Sequence, residues 1–364
     1  MALPQPMPNV AALPSYVPGA RGSATAPAPF KLSSNENPLP PLPSVVEAIA
    51  ASGHTVHRYP DMFAADLVEK LAERQGVEPA GVVVGAGSVA VLAHLLQAYA
   101  GPGREVIYAW RSFEAYPILT SLAGAASVTV PLAAGGRHDL EAMADAITDA
   151  TSVVLVCSPN NPTGPTVGAD EFGAFLKRVP AEVLVILDEA YLEFVEDPAS
   201  VQGDDFIGTK AWETHPNVVV LRTMSKAYGL AGLRVGFALG LPQILAPVRA
   251  CVTPFSVSSA AQAAALASLE AQAELLERVA GIVAERARVV AALAADGWST
   301  PDAQGNFVWI QADARTAELV AHLGSQSPAI LVRPFANEGV RISIGGVMEN
   351  DAALAALAAL PWRV

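Results

Sequence analysis

The chain has 364 residues, of which 52% are hydrophobic and 16% charged, so it has ample apolar material for two domains or one large core with an appendage. Its formal charge of −13 argues against a general nucleic-acid partner. The two cysteines, Cys157 and Cys251, have no metal-ligand spacing and form no disulfide framework, so no metal is expected.

The first 30 residues are rich in Pro, Ala and Gly and suit an extended arm, with L-P-S-Y-V-P-G at 13–19. The start, M-A-L-P-Q-P-M-P-N-V, has no basic segment and no long apolar run, which predicts no signal peptide and a cytoplasmic protein. L-S-S-N-E-N-P follows at 32–38. A helix is predicted from about Ser44, with Ser44 as N-cap and Glu47 completing a capping box. H-R-Y-P-D at 57–61 comes next.

Residues 79–103 carry no formal charge, a length that could span a bilayer. A glycine break in the middle, then Ser88, His94 and Gln97, fit strand, tight turn and core helix better, and no membrane association is expected. Gly85 to Ser88, G-A-G-S, separates a strand at 82–84 from a helix opening at Val89, a place where backbone N–H groups can hold an anion. G-A-G-S-V-A also fits a dinucleotide fingerprint. That motif wants an acidic residue at the end of the next strand, and the strand at 106–109 ends instead in Trp110 and Arg111.

Three stretches carry more chemistry. S-V-V-L-V-C-S-P-N-N-P-T-G (152–164) and V-L-V-I-L-D-E-A-Y-L-E-F (183–194) are apolar runs ending in polar turns. N-V-V-V-L-R-T-M-S-K-A-Y-G-L-A-G-L-R-V-G-F-A-L-G (217–240) is a strand, a turn holding Thr223, Ser225 and Lys226, then Arg234 and a second apolar run. Near-continuous apolar strands spaced by helix-length segments predict a mostly parallel sheet buried on both faces. The carboxyl ends of such strands line the ligand crevice, which would bring Asn161, Asp188 and Lys226 together. A lysine placed there can condense with a carbonyl cofactor while hydroxyls and a guanidinium hold an anionic group. Glu189, next to Asp188, should point to the opposite side of an extended backbone.

P-N-N-P-T-G, D-E-A-Y and S-K-A-Y-G-L-A-G-L-R, in this order and spacing, resemble the fold-type I aminotransferases that use pyridoxal phosphate. The likeness runs from about residue 13 to about residue 347 and lies nearest the histidinol-phosphate and aromatic amino-acid branch. It implies a large domain with a helix-flanked, mostly parallel sheet (44–245), a smaller C-terminal α/β domain (246–364) and an N-terminal arm and small-domain segment (1–43). It further implies that Lys226 forms the Schiff base and shuttles the proton, and that Asp188 keeps the pyridine nitrogen protonated. Asn161 and Tyr191 match the pair that contacts the ring's phenolic oxygen, and Phe113, in W-R-S-F-E-A-Y, the aromatic that stacks on the ring, where histidinol-phosphate enzymes usually have tyrosine. Ala86, Gly87, Ser88, Thr223, Ser225 and Arg234 match the phosphate cradle. Tyr59 matches a tyrosine that reaches the phosphate of a partner subunit, which implies a homodimer.

Arg341 matches the arginine for the substrate carboxylate, and Arg333 is a second basic candidate, near the arginine that contacts the phosphate in histidinol-phosphate enzymes. Tyr16 and Asn37 complete the expected substrate-binding set. Phe113, Phe335 and Trp110 near these motifs favour an aromatic amino acid, with a 2-oxo acid such as 2-oxoglutarate as acceptor and histidinol phosphate as the alternative. A pyridoxal-phosphate-fold regulator would need an added DNA-binding segment, and the chain has neither the length nor a basic stretch for one. The remaining elements are a bridge at 241–248, one or two amphipathic helices over about 259–296, a strand at 305–310, a helix at 316–323 and a pair of strands over 331–345.

Overall fold

The computed structural model describes residues 3–13 and 28–363, apart from the Glu213 side chain. In chain order the elements are α1 (Pro8–Ala11), β1 (Phe30–Leu32), α2 (Pro43–Ser52), α3 (Ala65–Gln75), β2 (Val82–Gly85), α4 (Ser88–Tyr99), β3 (Glu105–Trp110) and α5 (Ala115–Leu122). β4 (Ala126–Pro131), α6 (Leu140–Asp145), β5 (Thr151–Cys157), α7 (Ala169–Leu176), β6 (Leu184–Asp188), α8 (Ala211–Thr214), β7 (Val218–Thr223) and β8 (Gly236–Leu239) follow. Then come α9 (Pro242–Cys251), α10 (Ser259–Glu270), α11 (Gln272–Ala295), β9 (Phe307–Gln311), α12 (Thr316–Gly324), β10 (Ile330–Phe335), β11 (Gly339–Ser343) and α13 (Val347–Ala358).

The larger sheet has the order β2-β8-β7-β6-β5-β3-β4. Its pairings are parallel except at β8, which runs antiparallel to both β2 and β7. The apolar runs are continuous because both faces are covered. Val154, Val185, Leu187, Val218 and Val220 enter one apolar layer, and Val153, Leu155, Leu184, Ile186, Val219 and Leu221 enter the other. Successive side chains of a strand alternate sides, so every position is buried. Cys157 ends β5 in the second layer, and burial pushes its thiol up to about 12, as befits an inert apolar group.

The smaller sheet has the order β1-β10-β11-β9, with β1 parallel to β10 and the other two pairings antiparallel. Helix α11 covers it with a stripe of Val279, Ile282, Arg286, Val289 and Leu293, while its first turn sends Leu275 into the core of the larger sheet. Arg286 is tolerated in that stripe because it donates to the Phe194 and Gly305 carbonyls and pairs with Glu196 at 2.9 Å. The packing on the larger sheet continues past residue 245: Leu245 and Val248 of α9, and Ala261, Ala264 and Ala265 of α10, lie in its apolar layers.

Three local expectations are corrected. α2 begins at Pro43 with Leu42 as N-cap and no side-chain cap, so Ser44 sits exposed in its first turn and Glu47 exposed just beyond it. Proline at the first helical position has its φ already set and no N–H to satisfy, and the N-cap moves two residues earlier, from Ser44 to Leu42. The bridge after Leu241 is the helix α9, also opened by proline, at Pro242, with Pro247 inside it. The arm is not wholly extended: α1 docks on α5, where Asn9 and Ser121 exchange hydrogen bonds of 2.7 and 3.1 Å. The uncharged stretch 79–103 is β2, a turn and α4, and among the described residues no helix is long and apolar enough to cross a membrane.

Candidate active site

Three neighbouring parallel strands, β5, β6 and β7, end side by side, and their carboxyl ends open into one cavity. Of the residues expected at the site, Ser88, Phe113, Asn161, Asp188, Tyr191, Thr223, Ser225, Lys226, Arg234, Arg333 and Arg341 all line it. The sequence motifs, up to 253 positions apart between Ser88 and Arg341, converge because each lies at or just beyond a strand end or on the facing small sheet.

Asp188, the last residue of β6, is 5% exposed. Its Oδ2 accepts from the Tyr116 hydroxyl at 2.7 Å and its Oδ1 from the Ala190 N–H at 3.3 Å. Burial raises it to about 6, so it remains mostly ionised at neutral pH. Glu189 points the other way, to Arg222 at 2.8 Å and the Gly203 N–H at 2.5 Å, as strand alternation requires.

Lys226 is half-buried, its Nζ donating to the Ser34 carbonyl at 3.3 Å. Burial, reinforced by Arg341 and Arg234, pushes its amine down to about 7, while Glu36 opposes the shift. About half of such a group is neutral at neutral pH, and a neutral amine is both nucleophile and base. Across from it, the Tyr191 hydroxyl accepts from Asn35 Nδ2 at 2.9 Å. Asn161 Oδ1 accepts from Arg341 Nη1 at 2.5 Å, which turns the amide nitrogen of Asn161 away as its donor group. Arg341 also donates to the Ser33 carbonyl at 2.8 Å.

The opposite wall is suited to an anion. The Thr223 hydroxyl donates to Ser225 Oγ at 3.0 Å, and Arg234 Nη1 reaches the same Oγ at 3.3 Å. Ser88 opens α4, whose first backbone N–H groups lie at this wall. Ala86 and Gly87 form the turn leading into the helix. A Cβ on Gly87 (φ +86°) would lie 2.2 Å from Arg234 Nη2, and one on Gly236 would lie 2.1 Å from the Ser88 nitrogen. Close backbone approach at both places therefore demands glycine. Arg234 itself has φ 59°, a conformation rare for a non-glycine residue and found where a side chain must be aimed. Together the hydroxyls, the guanidinium, the helix start and the apposed amine and carboxylate fit pyridoxal phosphate in charge and donor type.

Three expected side chains stand elsewhere. Asn37 does not line the cavity; its Nδ2 donates to the Lys226 and Ala227 carbonyls at 3.3 and 2.9 Å, so it braces the lysine turn instead of meeting substrate. Trp110 faces a separate cleft, with Arg111 stacked on it at 4.4 Å. Tyr59 is 82% exposed and stacks on Phe255 at 4.7 Å, away from its own chain's cavity. Tyr16 lies outside the described residues. Conversely, Ser33, Ser34, Asn35, Glu114 and Tyr116 belong to the site or hold it, and sequence reasoning assigned them no role.

The chain belongs to the aminotransferase class I and II family, whose profile matches residues 28–357, and its architecture is that of fold type I. Among its relatives, the aromatic amino acid aminotransferase of Streptomyces avermitilis is 53% identical over 339 residues, covering 93% of this chain and 92% of that one. The enzyme of the same name from Thermobifida fusca is 52% identical over 351 residues, covering 96% of both. Among solved structures, histidinol-phosphate aminotransferase from Sinorhizobium meliloti in complex with pyridoxal-5'-phosphate superposes with a TM-score of 0.86 at 29% identity, covering 98% of this chain and 97% of that one. A putative histidinol-phosphate aminotransferase from Erwinia carotovora atroseptica gives 0.82 at 26% identity, with 92% and 96% covered.

Proposed function

We propose that the protein is an aromatic amino acid aminotransferase that uses pyridoxal phosphate and moves an amino group between a phenylalanine- or tyrosine-type amino acid and a 2-oxo acid such as 2-oxoglutarate. The observation that carries the substrate class is the apolar lining of the cavity by Phe113 and Phe335, with the Arg333 guanidinium that lines the same cavity engaged by Glu114. The names of the Streptomyces and Thermobifida relatives support it.

In this reading Arg341 binds the substrate α-carboxylate through a planar, charge-assisted pair. Ser88, Thr223, Ser225 and Arg234 hold the cofactor phosphate, and Phe113 stacks on the ring. When bound, pyridoxal phosphate supplies an aldehyde to carry the amino group and a ring that acts as an electron sink. Asp188 keeps the ring nitrogen charged, and the donors of Asn161 and Tyr191 meet the ring oxygen. Lys226 takes the α-proton and returns it, a task suited to an amine near neutral pKa.

Histidinol phosphate is the second reading, favoured by the presence of Arg333 in the cavity. The test compares kcat/KM for phenylalanine, tyrosine and histidinol phosphate with one oxo-acid acceptor. Phenylalanine or tyrosine is expected to lead; a tenfold preference for histidinol phosphate, about 1.4 kcal/mol of transition-state binding, would overturn the substrate and leave the family untouched. The proposal includes a cytoplasmic location, supported by the free thiols of Cys157 and Cys251 and decided by cell fractionation. It also includes a homodimer with shared sites, since Tyr59 is exposed and distant from its own cavity. Mixing inactive Tyr59→Ala and Lys226→Ala chains should restore activity in heterodimers that hold one intact site, and a monomer in light scattering would remove the idea.

A further inference from the structure

The segment leaving β3 and the β10–β11 hairpin are joined by two ion pairs of opposite sense. Arg111 reaches across to Glu338, and Glu114 is reached by Arg333. They face different spaces. Arg111 and Glu338 line the outer cleft beside Trp110 and Trp309, whereas Glu114 and Arg333 line the reaction cavity beside Phe113 and Phe335.

We infer that Glu114 is a specificity-determining residue: it keeps the tail end of the cavity electrically neutral, so that the site takes a flat uncharged ring and turns away a substrate with a distal phosphate. This rests on the aromatic reading above. The Arg333 side chain is 9% exposed, and its Nε and Nη2 both donate to Glu114 Oε2, at 3.1 and 2.5 Å. Two N–H groups on one carboxylate oxygen make a charge-assisted contact that an incoming anion must either displace or sit beside. Displacement exposes a carboxylate to a dianion, and coexistence places like charges in a poorly hydrated space; both oppose binding. An aromatic ring meets neither difficulty. It would lie against Phe335, with the Arg333 guanidinium 5.9 Å from that ring's centre, while Phe113 faces the cofactor ring. Selection is thus achieved by a repulsive element as well as by an attractive surface. The distal carboxylate of a dicarboxylic oxo acid meets the same competition with one charge fewer, so the cost to 2-oxoglutarate is smaller.

The test uses the cofactor-loaded enzyme in its first half-reaction, without acceptor, and compares phenylalanine with histidinol phosphate by single-turnover rate and substrate affinity. Glu114→Gln, with Glu114→Ala as a second variant should the first not fold, is expected to raise the histidinol-phosphate to phenylalanine ratio about tenfold over the parent, mainly through affinity. Glu338→Gln removes the outer ion pair between the same two segments and is expected to leave the ratio within about twofold. A ratio unmoved by the Glu114 variants, or moved equally by Glu338→Gln, overturns the inference. If the parent itself prefers histidinol phosphate, the aromatic reading fails on that number, while the change on substitution still judges Glu114 separately.

Discussion

Asp188 and Lys226 stand at or just past the ends of strands buried on both faces, whereas Glu114 and Arg333 stand on segments bridged by paired side chains at the cavity's other end. At the strand ends, geometry is over-determined. Asp188 has two donors, Lys226 touches the Ser34 carbonyl, and their protonation is governed by burial. At the tail end, Glu114 is 31% exposed, and its charge can be removed without disturbing a strand. The groups that serve every substrate are thus seated at the ends of core strands, and those inferred to discriminate among substrates sit in an ion pair whose acidic member is partly exposed.

The largest effect that could break this contrast is expected at Asp188. Asp188→Asn keeps the shape and an acceptor for Tyr116 but removes the charge, and should lower kcat about 10- to 100-fold, the size of a lost charge-assisted hydrogen bond. A change below about threefold in the purified, cofactor-loaded variant would mean that the core end is as exchangeable as the tail. A second prediction sharpens the cost of burial and concerns the cofactor-free protein. Lys226 is depressed to about 7 when folded, against an ordinary 10.5. Below pH 7 both folded and unfolded chains hold the proton, and the fold bears the full penalty of a buried charge. Between pH 7 and 10.5 the unfolded chain binds more protons, so stability rises with pH, then levels off. Lys226→Met should therefore be more stable than the parent by a few kcal/mol below pH 7, with the gap closing toward pH 10.5 in denaturant titrations. A gap that does not vary with pH would show that the amine is not desolvated in the folded chain.

The contrast also governs what the sequence made legible. β5, β6 and β7 could be read because burial on both faces leaves an unbroken apolar run, and the polar residue that ends each run is therefore conspicuous. β8 reads the same way for the same reason, yet runs antiparallel, since burial carries no direction. Asn35 and Tyr116 were not legible: they meet the site through hydrogen bonds to Tyr191 and Asp188, 156 and 72 positions away, and no local pattern encodes such contacts. Asn37 sits two residues from Asn35 in the same L-S-S-N-E-N-P motif, which places both at the site without saying which one faces it. Glu114 lay inside a motif already noted for Phe113, and its importance depends on Arg333, 219 positions further on.

The pairing of β1 with β10 has a consequence for the order of assembly during synthesis. Ser33 and Asn35 are held by Arg341 and Ser343, partners 308 positions later in the chain. As the polypeptide leaves the ribosome, the strands that carry Asp188 and Lys226 are complete long before those partners exist. The larger sheet can form at that stage, but Ser33, Ser34 and Asn35 have no strand to lie against, and the loop that must close is nearly as long as the whole chain. Closing the cavity is therefore among the last steps of folding, and a chain halted before residue 330 would carry the lysine without the wall that surrounds it.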